Sequence, residues 1–172
     1  MEVIAYYSIP SIPSIIYYLI MEIFLGAALG TMIGLLLAFP AIILETSRRV
    51  KNLPLLIDVY TWRGKKLTDG EVFVVGLLLH LITAGLYGLL YVLFAKNDFF
   101  LFPHDPYSLL SMIVFALVLW FWINIVILPL IGLGFFGNKE GGTVWFETLI
   151  SLLLEGSILW MIIQYYQPIY FV

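Results

Sequence analysis

Apolar residues in this chain fall into long unbroken runs, not into the alternation of a strand or the one-sided stripe of a surface helix. Four runs stand out, roughly 15–44, 72–95, 108–133 and 144–166. Each exceeds the length of about 18 apolar residues that reads as a membrane-crossing helix. Lipid offers no partner to open backbone groups, so each span is a helix or a strand of a closed barrel. Continuous apolarity favours helices. The expected fold class is all-α: a single polytopic membrane domain over 1–172, with four transmembrane helices joined by one long loop, 45–71, and shorter ones.

Local signals punctuate these runs. Thr68 and Glu71 in "TDGE" have the spacing of a capping box and should start helix 2. Asp105 followed by Pro106 is expected to serve as N-cap and first-turn residue of helix 3. The glycine-rich stretch from Gly132 to Gly142 reads as a tight exit from helix 3 and a turn into helix 4. The N-terminal segment "MEVIAYYSIPSIPS" has an acid in place of a basic region and two prolines, so no cleavable signal peptide is expected.

Composition agrees with this picture. Of the 172 residues, 63% are hydrophobic and 11% charged, and the mean hydropathy is +1.07. Soluble domains carry roughly 25% charged residues. Charge also orients the spans. Arg48, Arg49, Lys51, Arg63, Lys65, Lys66 and Lys139 lie in the loops after helices 1 and 3, and they are seven of the eight basic residues. Basic loops stay cytoplasmic. Loops 45–71 and 134–143 are therefore expected inside, and both termini outside. Tyr6, Tyr7, Tyr17, Tyr18, Phe99, Phe100, Phe102, Tyr107, Tyr165, Tyr166 and Tyr170 would form the outer aromatic belt, with Trp62 and Trp145 at the inner interface. Loop 45–71 mixes apolar and basic residues. It reads either as an interfacial segment whose Arg48, Arg49, Lys51, Arg63, Lys65 and Lys66 face anionic lipid headgroups, or as a plain solvated loop.

Small residues mark close helix contacts. Gly26, Gly30 and Gly34 recur every four residues in helix 1. Gly76, His80, Ala84 and Gly88 do so in helix 2, with Gly85 beside them. Such stripes let two backbones approach where no hydrophobic effect drives association. They suit packing within the chain or between copies of it. A weak repeat pairs "GLLLH" (Gly76–His80) with "SLLLE" (Ser151–Glu155), and "LAFPAI" around Pro40 with "VILPLI" around Pro129. Helices 1–2 and 3–4 then read as two copies of one hairpin, with His80 and Glu155 at equivalent places.

Ionisable groups inside a membrane are costly and default to a functional hypothesis. At about 1.5 Å per residue, Glu155 lies roughly 16 Å from the inner end of its helix, Asn124 about 13 Å and His80 about 12 Å. These three are expected to meet. Glu147, Ser151 and Glu155 share a face of helix 4 at steps of four, and Glu22 sits in the outer part of helix 1. One reading makes Glu22, His80, Asn124, Glu147, Ser151 and Glu155 a polar path for protons. The other makes them hydrogen-bonding glue that locks the bundle.

Other chemistries find little support. There is no cysteine, which excludes disulfides, thiolate metal sites and cysteine nucleophiles. Four carboxylates in a bundle suggest a di-iron site, but the required Glu-x-x-His pairs are missing. His104 lies in the outer loop, far from His80, so a bis-histidine haem fails. No hydrolase triad, zinc-protease motif or phosphate-binding loop appears. The basic residues lack the clustering with aromatics that nucleic-acid binding needs. No cofactor, metal or catalytic activity is expected.

The stretch "LPLIGLGFFG" (Leu128–Gly137) contributes a last observation. Pro129, Leu130, Gly132, Gly134, Phe136 and Gly137, with His80, Gly85 and Gly88 in helix 2, resemble the pattern of a set of uncharacterised prokaryotic four-helix inner-membrane proteins. The chain departs from that pattern in helix 4, where Glu155 stands in place of a histidine. The resemblance implies the architecture and an inner-membrane location, with no activity attached. The expected function is an accessory, scaffold or oligomer-forming membrane component, as a homo-oligomer or as a subunit of a larger complex. The alternative is a small transporter or proton-coupled channel using Glu155 and His80.

Overall fold

The computed structural model describes residues 12–46, 56, 59–62, 65–97, 105, 107–140 and 142–166, with side chains in the first helix from 16 to 43. The helices are α1 (Ile12–Thr46), α2 (Asp69–Lys96), α3 (Leu109–Leu130) and α4 (Val144–Tyr166). All four are long and apolar enough to cross a bilayer. The shortest, α3, has 22 residues, about 33 Å of helix against a hydrocarbon core of about 30 Å. Their outward faces carry exposed apolar side chains such as Phe24, Leu36, Leu86, Leu110 and Phe121, as a lipid-facing surface requires. The fold is that of an integral membrane four-helix bundle.

Helix starts follow capping chemistry, with one correction. At α2 the box forms as expected: Glu71 N donates to Thr68 Oγ1 at 3.4 Å, and Thr68 N donates to Glu71 Oε2 at 2.8 Å. Asp69 and Glu71 sit in its first turn and Lys96 in its last, matching the helix dipole. At α3 the cap is Ser108, not Asp105. Ser111 N donates to Ser108 Oγ at 3.2 Å. The Asp105 carboxylate instead accepts from Tyr107 N at 3.1 Å, closing the local turn that aspartate favours. Its backbone oxygen accepts from Ser111 Oγ at 2.7 Å. Pro106 lies outside the described residues.

Near its end α3 widens into a π-helical turn, Ile123–Ile127. Leu128 N donates to the carbonyl of Ile123, five residues back. Pro129 follows, lacking an N–H and clashing with a regular preceding turn. By contrast α1 continues through Pro40 to Thr46, so the two prolines of the repeat end differently. The exit from α3 is tight, as its glycines suggest. Gly132, Gly134 and Gly137 all have positive φ, and so does Phe136 at 55°. Phe136 packs 5.9 Å from the ring of Trp120, whose Nε1 donates to Trp145 O at 2.8 Å and ties α3 to α4.

The helices pair as α1 with α2 and α3 with α4. In the first pair the glycine stripes meet each other. A methyl at Gly26 or Gly30 would strike the backbone of Gly88 or Ala84, and one at Gly88 would strike Gly26. A methyl at Gly85 would meet Thr31 Oγ1 at 2.7 Å, and Gly76 is buried in α2. The close approach is therefore made inside one chain. Between the pairs lies an aromatic core. Phe115 stands edge-on to both Tyr87 and Tyr91 at 5.2 Å, and Tyr87 OH donates to Met112 O at 3.0 Å. Gly156 leaves room for that hydroxyl.

The long loop holds a small antiparallel hairpin, β1 (Thr61–Trp62) with β2 (Lys65–Lys66). Glu140, from the α3–α4 loop, clamps it. Its carboxylate accepts from Tyr60 N at 2.8 Å and from Thr61 Oγ1 at 2.7 Å. Loops 1 and 3 thus meet at one end of the bundle, as four spans demand. At the other end Tyr17, Tyr18, Tyr165 and Tyr166 are exposed. Arg48, Arg49, Lys51 and Arg63 lie outside the described residues, as do Tyr6, Tyr7, Phe99, Phe100, Phe102 and Tyr170 of the expected belt.

Candidate functional site: a polar cavity between the helices

Five polar side chains, two on α2 and three on α4, line one cavity of about 30 Å³: His80, Thr83, Thr148, Ser151 and Glu155. Ile123 and Leu152 complete it. Its placement follows from helical spacing. His80 and Thr83 are three apart on α2, and Thr148, Ser151 and Glu155 are three and four apart on α4, so each set shares a face. A volume of this size accommodates a water or two.

The glycine seam orients the histidine. His80 Nε2 lies 2.9 Å from Gly34 O. A carbonyl only accepts, so Nε2 carries a proton, and in the neutral ring Nδ1 is then an acceptor. Ser151 Oγ lies 3.5 Å from that Nδ1 and is placed to donate to it. Thr83 Oγ1 donates to Leu79 O or His80 O, both at 2.9 Å. Thr148 Oγ1 donates to Val144 O at 3.0 Å or Trp145 O at 2.9 Å, and accepts from Asn124 Nδ2 at 3.3 Å. The Asn124 amide, in the π-helical turn, also donates to Trp120 O at 2.9 Å in the turn before it.

Glu155 is only 2% exposed. Its Oε1 is buried with no hydrogen-bond partner, and so is Asn124 Oδ1. Among the described residues no basic group lies within 4.0 Å of the Glu155 carboxylate. Among the described residues Glu155 is a buried acid without a counter-ion.

The structure gathers some of the residues singled out from sequence and separates others. His80, Ser151 and Glu155 face one cavity. Asn124 is one hydrogen bond away through Thr148. Glu147, in the first turn of α4, does not line the cavity. Glu22 is engaged at the far end, where it pairs with Lys96 at 3.1 Å. There, burial and then the Glu22 carboxylate push the Tyr107 phenol up to about 12. Sequence reasoning missed Thr83 and Thr148. The available signal was their three-residue offset from His80 and Ser151.

Comparison with known protein families, curated proteins and solved structures finds no match to this chain. The class that fold and site define is an integral membrane four-helix bundle with an acid and an imidazole buried at one polar cavity.

Proposed function

We propose that the chain is a non-catalytic accessory, scaffold or oligomer-forming component of the prokaryotic inner membrane, with both termini outside and loops 45–71 and 134–143 cytoplasmic. One observation carries this reading. The buried polar groups line a cavity with room for a water or two, and the acids expected to extend it, Glu22 and Glu147, stand apart from it. A solute needs a wider and longer polar lining. The Pro129–Gly137 resemblance supports the same architecture. Because the glycine stripes are used within the chain, association with a second copy or another subunit falls to the bulky outward faces, such as Phe121 and Trp122 on α3. Exposed Lys65 and Lys66 on the hairpin suit contact with anionic headgroups.

Native mass spectrometry from nanodiscs should give a discrete oligomer or a co-purifying subunit. Proteoliposomes should leak protons and small solutes no faster than empty vesicles. The transporter reading is favoured by the convergence of His80, Ser151 and Glu155. A pH-linked flux that disappears in Glu155→Gln would put it in place of the accessory reading.

A further inference from the structure

The cavity has an unusual polarity. The Thr83 hydroxyl proton is committed to carbonyls of its own helix, and so is that of Thr148. His80 spends its ring proton on Gly34 O, which leaves Nδ1 as the acceptor for the Ser151 hydroxyl. With their protons turned aside, the three hydroxyls present lone pairs to the cavity. Glu155 adds a carboxylate whose Oε1 is buried and unpartnered. Oxygen acceptors around an unpartnered buried carboxyl call for a positive charge, either a proton on Glu155 itself or a cation in its place.

We propose that this cavity is a binding site for one sodium-type monovalent cation, held by the Glu155 carboxylate with the hydroxyl oxygens of Thr83, Thr148 and Ser151. Oxygen donors suit a hard cation. Charge selects valence. A single carboxylate balances one positive charge, whereas a divalent ion leaves a net charge in an apolar interior, where isolated charge is costly. Among the described residues no group of three or more His, Asp or Glu side chains could hold such an ion. Among the described residues the facing groups add no competing cation. From α2 these are His80, whose Nε2 is engaged, and Tyr87, whose hydroxyl donates to Met112 O. The sequence of α3 has no ionisable residue; α1 has two acids, Glu22, paired with Lys96 at the far end, and Glu45, whose side chain lies outside the described residues. A volume of about 30 Å³ suits one dehydrated ion with a water beside it. The inference goes beyond the accessory reading and does not depend on it.

The test measures thermal unfolding of the full chain in detergent at one pH, in sodium, potassium or choline chloride at matched ionic strength, with radiosodium binding alongside. Sodium should raise the melting temperature over choline and bind at one ion per chain. Thr83→Val should keep the fold and weaken sodium binding by about ten-fold or more. Glu155→Gln should stay folded, since the amide removes the buried charge, and lose the sodium response entirely. Equal melting temperatures in sodium and choline, with no saturable radiosodium binding, would overturn the proposal. Equal stabilisation by sodium and potassium over choline would show that the cavity does not select a sodium-sized ion and overturn the proposal too. A sodium response that survives in Glu155→Gln would place the ion elsewhere.

Discussion

Replacing Gly26 by alanine should part α1 from α2 and be felt two turns away, at His80. A methyl there would stand 2.6 Å from the Gly88 carbonyl oxygen and 2.7 Å from Val92 Cγ2. Ordinary contact begins at 3.4 Å, so the seam must open by about 0.8 Å (3.4 minus 2.6). The Gly88 oxygen belongs to a helix backbone and cannot swing aside as a side chain would. Overpacking of this kind costs about 1–3 kcal/mol. The hydrogen bond from His80 Nε2 to Gly34 O crosses the same seam at 2.9 Å. If the helices separate as rigid bodies it lengthens to about 3.7 Å (2.9 plus 0.8), outside hydrogen-bonding range. Its loss adds about 1 kcal/mol, for an expected total of about 2–4 kcal/mol. Equilibrium unfolding in mixed micelles, followed by circular dichroism, measures this. Gly70→Ala is the control. Nothing lies within 4 Å of its added methyl, and alanine's helix propensity should make it neutral or stabilising by up to about 1 kcal/mol. A Gly26→Ala protein within about 0.5 kcal/mol of the parent would refute the reasoning.

Other perturbations probe separate contacts. Gly156→Ala should destabilise by about 1–3 kcal/mol because its methyl meets the Tyr87 hydroxyl. Tyr87→Phe should recover part of that loss in the double variant, and strictly additive costs would contradict the contact. Ser108→Ala should cost about 1 kcal/mol through loss of the α3 cap, and Asp105→Ala less; the reverse order in chemical unfolding would return the cap to Asp105. Glu140→Ala should speed amide hydrogen exchange at Tyr60 by removing its acceptor, while exchange along α4 stays unchanged. Protection at Tyr60 as strong as in the parent would mean that the loops are held by something else.

Much of the architecture could be read before any coordinates. Span length and apolarity are local properties, and a bilayer converts them directly into helices, so the four runs became four helices within a few residues. The Thr68–Glu71 box was legible for the same reason: both partners lie within one turn. The start of α3 was not, because Asp105 and Ser108 are both capping residues and sit three apart. Only the position of the Ser111 N–H chooses between them. The π-helical turn ahead of Pro129 was equally invisible, since proline announces a disturbance and not the form it takes.

The site divides along the same line. Depth counting along the helices placed His80, Asn124 and Glu155 at similar levels, and the structure puts His80 and Glu155 at one cavity with Asn124 next to it. Depth says nothing about rotation around a helix axis. For that reason Glu147, on the same sequence stripe as Ser151 and Glu155, could be read into a path from which it stands apart, while Thr83 and Thr148 were overlooked. By itself the sequence determined that four helices cross the membrane, which residues are small enough for close contact, and that an acid and an imidazole are buried among them. Tertiary structure alone decided that the glycine stripes meet each other within one chain, that Gly34 orients His80, and that Ser151 and Glu155 face His80 and Thr83 across one cavity. Those outcomes depend on how the helices are rotated and paired, which is settled by side chains far apart in sequence packing together.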